Sequence, residues 1–183
     1  MELFTGSGVA LVTPFDENGD VNYSRLREIL EFHVINHTDA IIVTGTTGEG
    51  STLSDEEKIS VIEFTVDIIN SRIPVIAGTG SNDTRHAVEF SKRVEKLGVD
   101  GLLVVTPYYN KGNENGIYEH YKAIAEGVKI PVILYNVPSR TGVNLSIPLL
   151  KRLAQIENIT ALKEASGNIS YVAEVAREIP ELD

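Results

Sequence analysis

The sequence IPVILYN at residues 130–136 is a short, almost continuous apolar run, and ITALKE at residues 159–164 is another. Between them lies a stretch with a helical pattern that opens at Ser146-Ile147-Pro148, where Pro148 falls in the first turn. Short runs rich in Val, Ile and Leu are typical of strands that are covered on both faces. A strand, a helix and a second strand in this order predict a parallel βα arrangement.

The same alternation extends through the rest of the chain. Strand starts recur roughly every 30 residues, which is the length of one βα unit. The further apolar runs are GVALVT (8–13), AIIVT (40–44), IPVIAG (73–78) and GLLVVT (101–106).

Helical patterns lie between these runs. Residues 23–36 carry apolar side chains near a 3.6-residue period. Residues 54–57 (SDEE) read as a capping box that opens a helix through Asn70. The segment Asn82-Asp83-Thr84 is expected to cap the next helix, which is expected to end around Gly98. Because strands and helices alternate strictly, the sequence predicts an α/β fold with a parallel sheet.

A barrel is the favoured form of this sheet. No GxGxxG motif follows the first strand, which disfavours a doubly wound dinucleotide-binding sheet. A closed (β/α)8 TIM barrel needs eight units and about 250 residues. The 183 residues contain six predicted strands, so we expect an incomplete barrel. Residues 1–183 are expected to form the N-terminal part of a single TIM-barrel domain.

The composition excludes several classes of protein. The formal net charge is −10 at pH 7, which disfavours binding to nucleic acid or anionic membranes. The absence of cysteine excludes disulfides, thiolate catalysis and cysteine metal sites. The N-terminus has no signal-peptide pattern, and no apolar run is long enough to span a bilayer. We therefore expect a cytoplasmic protein.

Lys163 is the first candidate for chemistry, because functional residues of a parallel barrel lie where strands end. It follows Ile159 and Ala161 in steps of two, so the three side chains are expected to share one face. In an apolar site, desolvation favours the neutral amine, which is the form that attacks a carbonyl. Tyr135 ends the preceding strand, where a phenol can transfer protons. The alternatives are a lysine whose head reaches water and a buried tyrosine bonded to the backbone.

Two further segments carry groups that bind anions. The turn GTTGEG at residues 45–50 offers backbone amides and the hydroxyls of Thr46 and Thr47, which suit a carboxylate or phosphate. A glycine-rich turn without a ligand explains this pattern equally well. Arg140 lies in a predicted loop stiffened by Pro138, where a guanidinium can bind a carboxylate through two hydrogen bonds. A surface arginine without a specific role is the more frequent case.

His33 and His37 are candidates for a metal site. They are four residues apart on the predicted first helix, a spacing that can chelate a metal ion. No third ligand accompanies them, so a solvated pair is favoured. The sequence therefore predicts no metal site and no cofactor.

Four motifs stand in order along the chain: GTTGE (45–49), Tyr108-Tyr109, YNVPSRTG (135–142) and KEASGN (163–168). Together they resemble the signature set of the dihydrodipicolinate synthase / N-acetylneuraminate lyase family. The resemblance runs from about Phe4 to the last residue. N-acetylneuraminate lyases usually have Ser at the position of Thr46 and lack the arginine at that of Arg140, so this sequence is more similar to the synthases.

The resemblance implies an enzyme, a carbon-oxygen lyase that forms a Schiff base. Its reaction would be the aldolase-type condensation of pyruvate with L-aspartate 4-semialdehyde, the first committed step of lysine biosynthesis through diaminopimelate. Lys163 would form the imine with pyruvate. The other implied site residues are Tyr135, Thr46 and Tyr109 for proton relay (Tyr109 across a dimer interface), Thr47 for the pyruvate carboxylate and Arg140 for the semialdehyde carboxylate.

Two alternatives stay open. One is another pyruvate-dependent aldolase, such as a sugar-acid lyase, and the other is a non-catalytic barrel fragment that assembles with itself. Six units would leave two sheet edges uncovered, so we expect a homo-oligomer and little turnover.

The resemblance also implies a lysine-feedback site, in which His86 replaces an expected carboxylate, so we predict no inhibition by lysine. That site would map to Gly50, Ser51, Asp55, Lys58, Asn82, His86 and Tyr108.

Overall fold

The computed structural model describes residues 3–182. Within them, the strands are β1 (Gly8–Ala10), β2 (Ala40–Val43), β3 (Val75–Gly78), β4 (Gly101–Val105), β5 (Val132–Asn136) and β6 (Ile159–Glu164). The helices are α1 (Tyr23–Ile35), α2 (Asp55–Ile69), α3 (Thr84–Glu95), α4 (Glu114–Gly127), α5 (Pro138–Thr141), α6 (Ile147–Leu153) and α7 (Ile169–Glu178). Each of the six predicted apolar runs contains a strand.

The strands form one sheet in the order β1-β2-β3-β4-β5-β6. The pairs β1–β2, β2–β3 and β5–β6 are parallel. Consecutive strands are neighbours and helices connect them, which is the βα arrangement of a TIM barrel. The predicted fold class is confirmed as an incomplete (β/α)8 barrel with six βα units.

The helices begin where the sequence carries capping signals. The Glu57 carboxylate accepts from the Ser54 backbone N–H at 2.7 Å, and the Ser54 hydroxyl accepts from the Glu57 N–H at 3.3 Å. This capping box opens α2 as predicted. Ser146 caps α6 with a proline in its first turn. Within residues 3–182, no helix is both long and apolar enough to cross a membrane.

The chain divides into two compact units. The first contains residues 3–78 and 93–102, and its largest fully buried side chains are Leu26, Leu30, Ile41, Ile62, Ile69, Ile76 and Leu102. The second contains residues 79–92 and 103–182, and its largest fully buried side chains are Phe90, Tyr121, Ile124, Leu134 and Leu145. The prediction of a single domain stays a prediction.

The two outermost strands are less buried than the sequence predicts. Every residue of β2 and β5 is buried, whereas β1 has no fully buried residue and β6 has only Ile159. In the strand order, β1 and β6 each have a single neighbour, and the strands between them have two. Apolar composition therefore predicts the strands correctly, but not how far each one is covered.

Two local predictions about helix ends are wrong. α1 ends at Ile35, and His37 follows it with a φ of 59°, so His33 and His37 do not share a helix. α3 ends at Glu95, and the Gly98 N–H donates to the Glu95 carbonyl in a tighter turn at 3.2 Å. The left-handed φ of 84° at Gly98 then closes this turn, which lies beyond the helix.

Candidate active site

Lys163 and Tyr135 are register partners at the carboxyl ends of β6 and β5. The Lys163 Nζ atom lies 4.6 Å from the centroid of the Tyr135 ring. Tyr135 is buried and Lys163 is partly buried. The predicted adjacency of the amine and the phenol is confirmed, and their catalytic roles stay predictions.

A β-bulge in β6 changes which residues share a face with the amine. Ile159 pairs with Val132, and Ala161 pairs with the next residue, Ile133. Adjacent residues of a strand point to opposite faces, so Ala161 and Lys163 share the face of Ile133, and Ile159 shares that of Val132. The prediction that Ile159 lies on the face of Lys163 is wrong, because a period of two assumes an unbroken ladder.

The surroundings of Lys163 favour the neutral amine. Burial lowers the pKa of Lys163 below its usual value, because desolvation penalises the charged ammonium. The neutral amine is the nucleophilic form of lysine, and a carbonyl carbon is the electrophile that it attacks. A partly buried amine beside a phenol can therefore form an imine with a small keto compound.

Buried hydrogen bonds hold the backbone of Tyr135. The Thr106 backbone N–H and the Thr106 hydroxyl both donate to the Tyr135 carbonyl at 3.0 Å. The Tyr121 hydroxyl, from α4, donates to the Thr106 Oγ1 at 3.1 Å. Burial raises the pKa of Tyr121 well above its ordinary value, so this hydroxyl stays a neutral donor. These bonds fix the strand end that carries the phenol.

Arg140 lies on a one-turn helix, so the prediction of a loop at this position is wrong. Pro138 occupies the first turn of α5, where its missing N–H costs no hydrogen bond. The Gly142 N–H donates to the Pro138 carbonyl at 2.9 Å, and Gly142 ends the helix with a φ of 71°. The Arg140 side chain is exposed. A guanidinium on a fixed turn that follows β5 is available to a carboxylate in solution.

Thr46 and Thr47 lie in the first unit, in the turn that follows β2, and both are exposed. The Gly50 N–H donates to the Gly45 carbonyl at 3.1 Å. A Cβ atom on Gly50 would lie 2.1 Å from the Thr44 carbonyl oxygen, so the turn requires glycine at this position. The two hydroxyls are thus displayed on a tightly wound turn, as an anion-binding role requires.

Tyr109 follows β4 in the second unit. Its side chain is 89% exposed, and its φ of 73° places the backbone in the left-handed region. Tyr108 is partly buried. An exposed phenol on a distorted backbone is accessible to another molecule, which the predicted role across a dimer interface requires.

The two histidines of the candidate pair have different surroundings. The His33 Nδ1 atom lies 3.0 Å from the Thr38 hydroxyl, and His37 is exposed beyond the helix end. Among residues 3–182, no group of three or more His, Asp or Glu side chains is arranged to hold a metal ion.

The sequence predicts no role for Asn136 or Glu164. Asn136 is 0% exposed, and its Nδ2 donates to the Glu164 Oε2 at 2.6 Å. The two residues directly follow the phenol and the amine along the chain. The signal in the sequence was only that both are polar residues at strand ends, which did not predict their contact.

Residues 3–182 match the Dihydrodipicolinate synthetase family. The chain belongs to this family. It is 59% identical over 175 residues to the 4-hydroxy-tetrahydrodipicolinate synthase of Clostridium novyi, covering 96% of this chain and 59% of the relative. It is similar to the chloride-inhibited dihydrodipicolinate synthase of Acinetobacter baumannii complexed with pyruvate (TM-score 0.95, 48% identity, covering 96% of this chain and 60% of the other). It is also similar to the lysine-bound enzyme from Cyanidioschyzon merolae (TM-score 0.93, 41% identity, 100% and 62%).

The match to the dihydrodipicolinate synthetase family covers residues 3–182 of this chain. The relatives themselves are longer. The chain spans 59% to 62% of the length of the curated relatives it matches. The matched part contains Lys163, Tyr135 and Arg140 of the second unit. It also contains the turn of the first unit that carries Thr46 and Thr47.

Proposed function

We propose that this chain carries the imine-forming residues of a 4-hydroxy-tetrahydrodipicolinate synthase, whose substrates are pyruvate and L-aspartate 4-semialdehyde. The observation that carries the proposal is the contact of the partly buried Lys163 amine with the Tyr135 ring at 4.6 Å. Membership of the family supports the class of reaction, a carbon-oxygen lyase that acts through a Schiff base. The relative complexed with pyruvate supports a keto acid as the first substrate.

The chemistry starts at the Lys163 Nζ atom. The neutral amine attacks the keto carbon of pyruvate, a C–N bond forms, and the carbonyl oxygen takes up a proton to give a carbinolamine. Loss of water from the carbinolamine gives the imine. The Tyr135 hydroxyl donates and accepts the protons of these steps. Removal of a methyl proton then gives the enamine, whose carbon bonds to the aldehyde carbon while the aldehyde oxygen is protonated.

The remaining predicted residues complete this proposal. Thr46 and Tyr109 extend the proton relay, with Tyr109 acting on the site of a second copy of the chain. The Thr47 hydroxyl holds the carboxylate of pyruvate, and the Arg140 guanidinium holds that of the semialdehyde. Exposure of both hydroxyl groups and of the guanidinium supports these roles, because each must reach a ligand from solution.

Reduction by borohydride in the presence of pyruvate tests the proposal. We expect an irreversible mass addition that peptide mapping assigns to Lys163, and no addition in Lys163→Arg. In Tyr135→Phe, the adduct should form more slowly at the same lysine, because the amine is kept and the proton shuttle is lost. An adduct on a different lysine, or none in the parent chain, would refute the imine. Turnover with L-aspartate 4-semialdehyde and not with N-acetylmannosamine would separate the synthase from a sugar-acid lyase.

Self-association is part of the proposal. The outermost strands, β1 and β6, each have one neighbour in the sheet, and Ile169 and Val172 of α7 are exposed. Uncovered strand edges and exposed apolar side chains favour pairing between chains. We expect sedimentation velocity to detect a homo-oligomer of the 183-residue chain. A stable monomer at micromolar concentration would contradict this expectation. The cytoplasmic location stays a prediction.

A further inference from the structure

A polar cluster centred on the buried Asn136 joins the ends of β5 and β6 on the face opposite the candidate amine. The Asn136 Nδ2 donates to the Glu164 Oε2 at 2.6 Å and to the Asn144 Oδ1 at 2.8 Å. The Asn136 Oδ1 accepts from the Leu145 N–H at 3.2 Å. Both donor hydrogens and the acceptor of this amide are therefore used, which fixes the orientation of its side chain.

The second half of the cluster is equally well bonded. The Glu164 Oε1 accepts from the Ser166 backbone N–H, so each carboxylate oxygen has a donor. The Ala165 N–H donates to the Asn136 carbonyl at 2.9 Å. The Tyr171 hydroxyl, from α7, donates to the Leu145 carbonyl. One network thus joins residues of β5, β6, α7 and the segment that follows α5.

This network bears directly on the distance between the amine and the phenol. Asn136 follows Tyr135, and Glu164 follows Lys163, and the two pairs are adjacent in the register of β5 and β6. A bond between the second pair restrains the separation of the first, because one backbone unit joins them on each strand. We infer that Asn136 and Glu164 are positioning residues that hold the Lys163 amine over the Tyr135 ring. This inference rests on the proposed function only in taking Lys163 as the nucleophile.

Single substitutions would break the cluster without removing its polarity. Asn136→Asp places two carboxylates 2.6 Å apart, where like charges repel. Glu164→Gln turns an amide NH2 toward either the Asn136 Nδ2 or the Ser166 N–H, so one of these two donors loses its acceptor. The double variant N136D/E164Q reverses the bond between these two positions, and the exposed Asn144 can turn its amide so that its NH2 donates to the new carboxylate. The new amide can donate to the new carboxylate while the amide oxygen still accepts from the Ser166 N–H, and the net charge does not change.

Reductive methylation of the lysines followed by NMR provides a readout that needs no pyruvate. The ring current of Tyr135 is expected to shift the Lys163 methyl signal upfield of that of the exposed Lys96, because the amine lies over the ring face. Lys163→Arg assigns the signal by its loss. We expect each single variant to lose the upfield shift and the double variant to regain it.

A matched control separates positioning from general stability. Asn158 donates to the carbonyls of Ala125, Val128 and Ile130 near the other end of β6. Asn158→Ala removes a polar network of similar size from the same strand region and should lower the free energy of unfolding while it leaves the Lys163 methyl shift in place. Should a single variant not fold, Glu164→Asp keeps the charge and shortens the reach by one methylene, and it should lose the shift.

The outcomes are distinct. Loss of the shift in folded single variants, with recovery in the double variant, supports the inference. The inference would be overturned if the parent chain lacked the upfield shift, or if a folded single variant or a folded E164D variant retained it. A folded double variant that did not regain the shift would overturn it as well. In the borohydride assay, the singles should trap pyruvate about tenfold to a hundredfold more slowly and the double variant should recover. A parent chain that traps no pyruvate would refute the proposed function and leave the methyl shifts to decide the positioning role.

Discussion

His120 makes the stability of this protein sensitive to mild acid. Its side chain, on α4, is 3% exposed, and its Nδ1 lies 2.8 Å from the Thr84 hydroxyl. Within residues 3–182, its Nε2 is the buried side-chain atom that lacks a hydrogen-bond partner. Burial lowers the pKa of His120 from 6.5 to about 4, with Asp83 opposing the shift through its charge.

The magnitude follows from the difference between the folded and unfolded pKa values. The unfolded chain binds a proton at His120 below about pH 6.5, and the folded chain does not bind one until about pH 4. The contribution of His120 to the free energy of unfolding is therefore fully present above about pH 6.5. It is lost as the pH falls from 6.5 to about 4, by about 1.4 kcal/mol for each pH unit. The whole interval from 6.5 to about 4 corresponds to about 3 kcal/mol.

Urea unfolding, followed by circular dichroism from neutral pH down to about pH 4, measures this effect. In His120→Gln, the free energy of unfolding should fall less across the window, by about 3 kcal/mol compared with the parent. Carboxylates that titrate in the same range contribute to both proteins and cancel in the difference. His37→Gln, at an exposed position, controls for the loss of a histidine in general. Parallel pH profiles for the parent and His120→Gln would refute the reasoning.

Three further predictions concern a hydroxyl, a glycine and an effector. Thr106→Val removes a hydroxyl with two buried hydrogen bonds and should lower the free energy of unfolding by about 1–3 kcal/mol, whereas Thr106→Ser should recover most of it. Gly50→Ala places a Cβ atom 2.1 Å from the Thr44 carbonyl oxygen, so it should lower the melting temperature, whereas Gly116→Ala, in α4, should raise or preserve it. An initial-rate titration with lysine, run on the residual turnover, should detect no inhibition, because His86 supplies no carboxylate for the ammonium of lysine, and inhibition at millimolar lysine would contradict this.

The elements of the fold were largely predictable because their signals are local. A strand covered by helices requires a short apolar run, and each such run contains a strand. The capping box of Ser54 and Glu57 operates within four consecutive residues, so its pattern is legible without a structure. Helix ends were predicted less well, since α3 stops three residues before Gly98 in a turn that only backbone geometry reveals.

The candidate site was predicted in part. Tyr135 and Lys163 end consecutive predicted strands, and parallel neighbours bring such ends together, so their contact followed from topology. The face shared with Ile159 did not follow, because a single extra residue in β6 reverses the alternation. The sequence predicts a loop at Arg140, where the structure has one helical turn, because one turn is too short to have a period.

The sequence by itself determined the order of strands and helices, the residue types at the strand ends and the family, because these depend on neighbouring residues or on motifs. Only the tertiary structure decided that Asn136 bonds to Glu164, 28 residues away, and that His120 is buried without a partner for its Nε2. Hydrogen-bond satisfaction and desolvation depend on groups brought together from distant parts of the chain. Desolvation lowers the pKa of the Lys163 amine, and the Nζ atom lies 4.6 Å from the ring centroid of a residue on another strand, so neither property is encoded in any single segment.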